Sequence, residues 1–174
     1  VGYYAIQWAV MAGAEVISTA SNSSDRDLCL ALGAKAVVNH REEDWGQQVL
    51  VATSGRKVDR VIDVEFGANL PQILGCIAPN GVIATYSSTQ VKTPSLPFLD
   101  MMYMDLTLRM VIVYAMPESA KQAAIEAISI ALEQEQLEHR VAHVVPLEKI
   151  SKAHELIEIG GFGGCVVVSM ESSE

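Results

Sequence analysis

The chain of 174 residues carries 12 basic and 21 acidic side chains, a formal net charge of −9, and this balance argues against nucleic acid or an anionic membrane surface as a partner. Half of the residues are apolar, enough for one sizeable core, yet no apolar run approaches the roughly 20 residues that span a bilayer. The three cysteines are scattered in apolar contexts, which predicts buried free thiols in a reducing, cytoplasmic compartment.

The beginning of the chain predicts a helix, a glycine break, a strand and a polar loop. Apolar residues at the i, i+3, i+4, i+7 spacing mark one helix face: Ala5, Trp8, Ala9 and Ala12. Ile6 and Val10 extend this face, and Gly13 ends the helix. A β-branched run at residues 15–20 then predicts a strand, and the polar loop after it supplies helix N-cap residues at 23–25.

Strands and helices alternate through the next hundred residues, joined by short turns that contain glycine. Strands are predicted at residues 36–39, 58–64, 82–86 and 106–114, and helices at about 42–53 and 69–77. Residues 87–97 interrupt this rhythm with polar side chains and two prolines, which is typical of a loop at the carboxyl end of a strand. The alternation predicts an α/β fold, a doubly wound parallel sheet with helices on both faces.

The last third of the chain continues the pattern after an apolar, Met-rich segment at residues 98–104. Pro117 is expected to begin a helix that ends near Gln134. A strand at 141–145, a helix from Pro146 to Gly160 and a strand at 165–170 close the sheet. We expect one domain over residues 1–170, with residues 171–174 as a frayed tail.

The residues after the first predicted strand bear on the choice of cofactor. In a doubly wound sheet the ribose of a dinucleotide lies at the end of this strand, where a carboxylate would bind the 2′-hydroxyl of NAD and repel a 2′-phosphate. Ala20, Ser21 and Asn22 occupy this place, and none of them is acidic. The missing carboxylate favours NADPH over NADH, with Arg41 and Arg26 as cations for the phosphate. An alternative is that residues 21–24 only cap the next helix.

A complete dinucleotide fingerprint, G-x-G-x-x-G, is not present. Only its third glycine, Gly2, is found, and we interpret Val1 and Gly2 as the end of the phosphate turn. The chain begins without Met and without a targeting segment. We therefore expect a fragment, with the preceding strand supplied by residues upstream.

Longer stretches match one family in order and spacing. VVNHREED at residues 37–44, VDRVIDVEFGANL at 58–70 and PLEKISKAHELIEIGGFGGCVVV at 146–168 resemble the zeta-crystallin-type NADPH:quinone oxidoreductases of the medium-chain dehydrogenase/reductase superfamily. The likeness covers essentially the whole chain. It implies a Rossmann domain whose first strand and GroES-like catalytic domain are missing here, and hydride transfer from NADPH to a quinone or an α,β-unsaturated carbonyl without zinc.

The resemblance also implies a set of cofactor-binding residues. Val1 and Gly2 would border the pyrophosphate, Ser21 and Asn22 the adenosine ribose, His40 and Arg41 the adenosine phosphate, Glu65 and Phe66 the adenine, Tyr86 and Ser87 the nicotinamide ribose, and Val113 and Tyr114 the carboxamide. A family lysine near the C-terminus is replaced by Cys165, so its contact is not carried over. Residues 106–114 correspond to the edge strand that pairs across the family's dimer, which predicts a homodimer.

No catalytic residue can be assigned from the sequence, and no zinc site is expected. His154 and Glu155 begin an HExxH-like string, but Glu158 stands where the second histidine ligand should be. His139 and His143 lie in a predicted extended segment, where four residues span about 13 Å.

The acidic residues Asp63 and Glu65 are expected to bind backbone amides at a strand end, whereas Tyr86, followed by a polar loop, is favoured as a functional residue. Two kinds of function stay open. The first is an NADPH-dependent quinone or enone reductase that is inactive as this fragment alone. The second is a non-catalytic cofactor-binding or dimerisation module, or another medium-chain alcohol dehydrogenase or enoyl reductase.

Overall fold

The computed structural model describes residues 1–170, so the predicted tail at 171–174 lies outside the described residues. The chain divides into two compact units, Val1–Ile125 and the residues from Glu126 onward. The single domain expected from the sequence stays a prediction. In the described part of the chain, no helix is both long enough and apolar enough to cross a membrane.

The first unit alternates helices and strands, as the sequence predicts. Its elements are α1 (Gly2–Met11), β1 (Ile17–Thr19), α2 (Ser23–Ala31), β2 (Ala36–Val38), α3 (Trp45–Ala52), β3 (Val58–Asp63), α4 (Phe66–Cys76), β4 (Ile77–Thr85), α5 (Phe98–Tyr103) and β5 (Thr107–Met110). A 3₁₀ turn, Val113–Ala115, follows β5, and helix α6 (Glu118–Glu133) runs across the boundary between the units.

All strand pairs are parallel, which confirms the predicted fold class. β1 pairs with β2, and β4 lies between β3 and β5. Instead of one continuous sheet, hydrogen bonds join the described strands into separate sets, because no ladder connects β1 to β3. The carboxylate of Glu15 binds Lys35 at 2.7 Å and Arg56 at 2.5 Å, and these three residues lie one or two positions before β1, β2 and β3. The amino ends of the three strands are therefore tied together.

The core of the first unit forms where helices cover the strands. One cluster joins α4 to β4 and consists of Phe66, Leu70, Ile73, Ile77 and Ile83. A second packs α1 on β2 through Ile6, Leu32, Ala34 and Val37. A third, Val38, Val49 and Cys76, also contacts Ile17 of β1 and Val58 of β3, so α3 bridges the two sets of strands.

Two predictions about the first helices are wrong in detail. The buried face of α1 carries Ile6 and Gln7, whereas Ala12, predicted for the core face, is exposed. The face turns this way because α1 packs on Leu32 and Val37, and Gln7 satisfies its amide by donating to the carbonyl of Tyr3 at 3.3 Å. Helix α2 is capped by Asn22 rather than by Ser23 or Ser24, since the Asn22 side chain accepts from the amide of Asp25.

The boundaries of the later elements also differ. Helix α3 begins at Trp45 instead of residue 42, and α4 begins at Phe66 instead of residue 69. Strand β4 begins at Ile77 instead of residue 82; it includes Asn80, which has a φ of 61°, and its pairing with β3 is irregular. The strand predicted over 106–114 ends at Met110, because β4 ends at Thr85 and the last bond is from the Val111 amide to the Thr85 carbonyl.

The second unit contains a parallel pair, β6 (Val141–Pro146) and β7 (Cys165–Ser169), connected by α7 (Ile150–Ile159). Val145 of β6 and Ala153 of α7 are buried. Gly160 and Gly161 end α7 with positive φ values of 64° and 80°, as expected for a glycine stop. The cysteine prediction is wrong for Cys165, which is exposed, while Cys76 is buried.

Candidate functional site

The predicted cofactor-binding residues after α1 all follow the carboxyl ends of parallel strands. Ser21 and Asn22 follow β1, His40 and Arg41 follow β2, Glu65 and Phe66 follow β3, Tyr86 and Ser87 follow β4, and Val113 and Tyr114 follow β5. In open α/β sheets, ligands bind in the crevice outside these strand ends. This edge of the first unit is therefore the candidate site.

The loop after β1 is held by β2 and by its own helix cap. The amide of Ala20 donates to the carbonyl of Val38 at 3.0 Å, which places Ser21 beside the end of β2. Asn22 uses both side-chain atoms on Asp25: Oδ1 accepts from the amide and Nδ2 donates to the carboxylate, each at 2.8 Å. Arg26 donates to the carbonyl of Val37 at 2.7 Å. The main chain thus anchors one of the two candidate phosphate cations.

The loop after β2 presents His40 and Arg41 on an ordered turn. Asn39 Oδ1 accepts from the amide of Arg41 at 3.1 Å, and Asn39 Nδ2 donates to Glu42 at 3.2 Å. The side chains of His40 and Arg41 are exposed. The pairing of β1 with β2 therefore brings Ser21 and Arg41 to the same pair of strand ends.

The predicted phosphate turn lies at the start of α1. Val1 provides no side-chain cap, and a Cβ added at Gly2 would meet nothing within 4 Å. The amino end of a helix carries partial positive charge and favours anions. Open space and this polarity fit a phosphate group at Val1 and Gly2.

Asp63 and its neighbours organise the end of β3. The Asp63 carboxylate is buried and accepts from Asn69 Nδ2 at 2.7 Å and from the amide of Glu65 at 3.0 Å. Burial raises the pKa of Asp63, although these hydrogen bonds oppose the shift. Burial and the nearby Asp63 charge also raise the pKa of Tyr86. The expected role of Asp63, binding a backbone amide at a strand end, is confirmed.

Glu65 and Phe66 contact the chain that follows β4. Glu65 accepts from the amide and hydroxyl of Thr89 and from the amide of Gln90, each at 2.9 Å. Desolvation alone would raise the pKa of Glu65, but the hydrogen bonds from Gln90 and Thr89 outweigh it and lower the pKa. The ring of Phe66 is buried in the core, so its main chain alone lies at this edge.

The structure brings some of the predicted cofactor-binding residues into direct contact and leaves others apart. Phe66 and Ser87 are joined directly, because the amide of Phe66 donates to the carbonyl of Ser87 at 3.1 Å. Val113 and Tyr114, by contrast, lie on the 3₁₀ turn beyond β5, and Tyr114 is 87% exposed.

Sequence reasoning missed the network around Ser88 and Thr89. The glycine at position 67 is the feature of the sequence that could have indicated this network, because a Cβ there would lie 2.5 Å from the carbonyl oxygen of Val91. A glycine in the first turn of a helix can indicate such a close approach of two segments.

The described residues do not offer a zinc site. Within residues 1–170, no group of three or more His, Cys, Asp or Glu side chains is placed to hold a metal ion. The ring of His143 contacts Phe162 edge-on with centroids 4.9 Å apart, and His154 is exposed on α7.

Comparison with known proteins identifies the family. The model of the zinc-binding dehydrogenases matches residues 1–129. Quinone oxidoreductase 1 of Escherichia coli is 32% identical over 89 residues, which cover 51% of this chain and 27% of that protein. The quinone oxidoreductase of Sus scrofa is 27% identical over 156 residues, covering 89% of this chain and 46% of that protein.

A solved NAD-dependent alcohol dehydrogenase has 28% sequence identity and a TM-score of 0.77, and the match covers 97% of this chain and 48% of that one. The chain spans about half the length of these relatives or less. Together with the parallel α/β fold, the match over residues 1–129 shows that this chain belongs to the zinc-binding dehydrogenase family of the medium-chain dehydrogenase/reductase superfamily.

Proposed function

We propose that the protein is an NADPH-dependent oxidoreductase that transfers a hydride to a quinone or an α,β-unsaturated carbonyl, and that the first unit holds the cofactor. The observation that carries this proposal is the end of β1, where uncharged Ser21 and Asn22 lie at the same pair of strand ends as exposed Arg41. The quinone oxidoreductases of E. coli and pig support the choice of acceptor.

The described residues fit this cofactor in chemical terms. The start of α1 would face the pyrophosphate, and Arg41 would pair with the 2′-phosphate through charge-assisted hydrogen bonds. Ser21 could donate to the ribose phosphate without the repulsion that a carboxylate would cause. Bound NADPH would supply the hydride. The role of this part of the chain would then be to bind the cofactor and to orient it toward the acceptor.

Titration with NADPH and NADH tests the proposal. We expect tighter binding of NADPH, and Arg41→Gln should weaken NADPH by roughly tenfold while leaving NADH nearly unchanged, since one charge-assisted bond is worth about 1.5–3 kcal/mol. Arg60→Gln, which alters an exposed cation on β3, is the matched control. Failure to bind either nucleotide would refute the proposal, and equal affinities would refute the preference for NADPH.

The reaction is proposed to proceed without zinc, and a cytoplasmic location is proposed with it. The lack of a three-residue ligand cluster within residues 1–170 supports the first statement for this part of the chain. Elemental analysis of the purified protein should find far less than one zinc per chain. A stoichiometric amount that resists dialysis would show that zinc belongs to the protein.

We also propose a homodimer through the segment 106–114. Within the described residues β5 pairs on one edge only, with β4; Met110 at its end and Ile112 beyond it are 71% and 58% exposed. An unpaired edge with apolar side chains is a template for another strand. Light scattering should give twice the chain mass, and Met110→Lys should shift the protein to monomer, whereas Met11→Lys on α1 should not. A monomeric wild type at micromolar concentration contradicts the proposal.

A further inference from the structure

The loop after β4 is fastened to the amino end of α4. This loop, residues 86–91, begins with Tyr86 and Ser87 and belongs to neither a helix nor a strand. A free segment of this kind would sample many conformations, and ordering it upon binding would weaken the affinity for a ligand. Contacts that order the loop beforehand therefore matter for any ligand that uses Tyr86 or Ser87.

Two backbone amides at the start of α4 hold the first part of the loop. The amide of Phe66 donates to the carbonyl of Ser87 at 3.1 Å, and the amide of Gly67 donates to Ser88 Oγ at 2.9 Å. The hydroxyl of Ser88 then donates to the carbonyl of Val91 at 2.5 Å. The loop thus satisfies the first two amides of α4, which have no partners within the helix. This helix end is consequently occupied by protein and does not offer an anion site.

A single carboxylate fastens the second part. Glu65 Oε2 accepts from both the amide and the hydroxyl of Thr89, and Oε1 accepts from the amide of Gln90. All three partners are donors, so both oxygens of the side chain must be acceptors. An ionised carboxylate meets this requirement, whereas the amide of glutamine would turn an NH₂ group toward one of these donors.

We propose that Glu65 is a positioning residue that latches the loop 86–91 and thereby holds Tyr86 and Ser87 ready at the carboxyl end of β4. The proposal rests on the proposed cofactor function, and it gives Glu65 a different part from the adenine contact expected from the sequence. With its carboxylate engaged by Thr89 and Gln90, Glu65 acts on the cofactor through the loop. The carbonyl of Ser87, which also accepts from Thr85 Oγ1 at 3.2 Å, is fixed by the same arrangement.

The test is Glu65→Gln, which keeps the size of the side chain and removes one acceptor. Because glutamine keeps only one of the two oxygens, we expect hydrogen exchange to become at least about tenfold faster at the amide that loses its acceptor, either that of Thr89 or that of Gln90. NADPH should bind roughly three- to tenfold more weakly, since the loop must then be ordered upon binding. Thr89→Val, which removes the hydroxyl and keeps the amide, should show a smaller loss of affinity.

Two controls separate positioning from general stability. Glu133→Gln changes an exposed carboxylate on α6 and should alter neither measurement. Ile73→Val, chosen to lower the melting temperature from within the core, should leave both the exchange of Gln90 and the affinity for NADPH unchanged under conditions where the protein stays folded.

Unchanged exchange at Thr89 and Gln90 in Glu65→Gln would overturn the latch. Faster exchange with unchanged NADPH affinity would overturn the positioning role. If the wild type binds no nucleotide, the proposed function fails, and the exchange experiment still decides whether the latch exists.

Discussion

At the scale of single residues, the candidate site depends on a few residues in unusual environments. Gly67 allows the chain at Val91 to approach α4, Asp63 is a buried carboxylate beside Tyr86, and Glu65 collects three hydrogen bonds from the loop. A single substitution can test each of these three residues, because each substitution changes a small group whose contacts are known.

Replacing Gly67 with alanine should destabilise the protein. The added Cβ would lie 2.5 Å from the Val91 carbonyl oxygen and 2.8 Å from Ser88 Oγ, which forces the loop to move. We expect a cost of about 1–3 kcal/mol in the free energy of unfolding by urea. Gly75→Ala in the same helix is the matched control: nothing lies within 4 Å of its added Cβ, and a gain of about 0.5–1 kcal/mol is expected. Equal effects of the two substitutions would contradict this.

Asp63 should make stability depend on pH. Burial raises its pKa in the folded protein, so the folded state holds a proton that the unfolded state releases near pH 4. Protonated Asp63 therefore stabilises the folded state below about pH 4, and this contribution is lost as the pH rises through the raised pKa. Urea unfolding at pH 4–8 should therefore show wild type losing stability relative to Asp63→Asn with rising pH. A difference that is constant over this range would show that the pKa is not raised.

At the scale of elements, α4 is central to the first unit because it joins the core to the site. Its buried side chains pack on Ile77 and Ile83 of β4, and its first turn binds the loop after that strand. The buried face of α4 thus contributes to stability, while its first turn holds the loop at the site. Truncating a buried side chain of α4 should lower the free energy of unfolding strongly, whereas a substitution on the exposed face of β3 should change it little.

Ile73→Ala tests this view of α4. Ile73 is 0% exposed, and removing three carbons from a closed core should cost about 2–5 kcal/mol of unfolding free energy. The matched control is Ile62→Ala on β3, whose side chain is 59% exposed and should cost about 0.5 kcal/mol or less. Chemical denaturation of both variants gives the comparison, and a small cost at Ile73 would show that the core is loosely packed.

At the scale of the whole molecule, the two compact units differ in how much they bury. From Glu126 onward, the buried apolar residues in the described part are Ala131, Val145 and Ala153, whereas the first unit contains three buried clusters. A small unit with little buried apolar surface has marginal stability. We therefore expect the second unit to unfold under milder conditions than the first.

Two spectroscopic signals can separate the units. Both tryptophans, Trp8 and Trp45, lie in the first unit, so their fluorescence reports on it alone, while far-ultraviolet circular dichroism reports on both. In a urea titration the ellipticity should begin to change at a lower concentration than the fluorescence, as expected when unfolding is not two-state. Coincident curves would show that the units unfold together.

Local patterns in the sequence were sufficient for the order of the elements and for the polar residues at strand ends. Alternating β-branched runs, helix periodicity and glycine turns depend on neighbouring residues, and so they predicted the parallel α/β fold that the structure confirms. The absence of a carboxylate at Ala20, Ser21 and Asn22 is likewise visible in the sequence alone.

Tertiary structure decided what depends on distant partners. The strand predicted to reach residue 114 ends at Met110 because its neighbour β4 ends at Thr85. The face of α1 that is buried depends on its packing against Leu32 and Val37. The carboxylate of Glu65 is held by Thr89 and Gln90, 24 and 25 residues along the chain. Contacts at such separations arise only when the chain packs, which is why no local pattern could predict them.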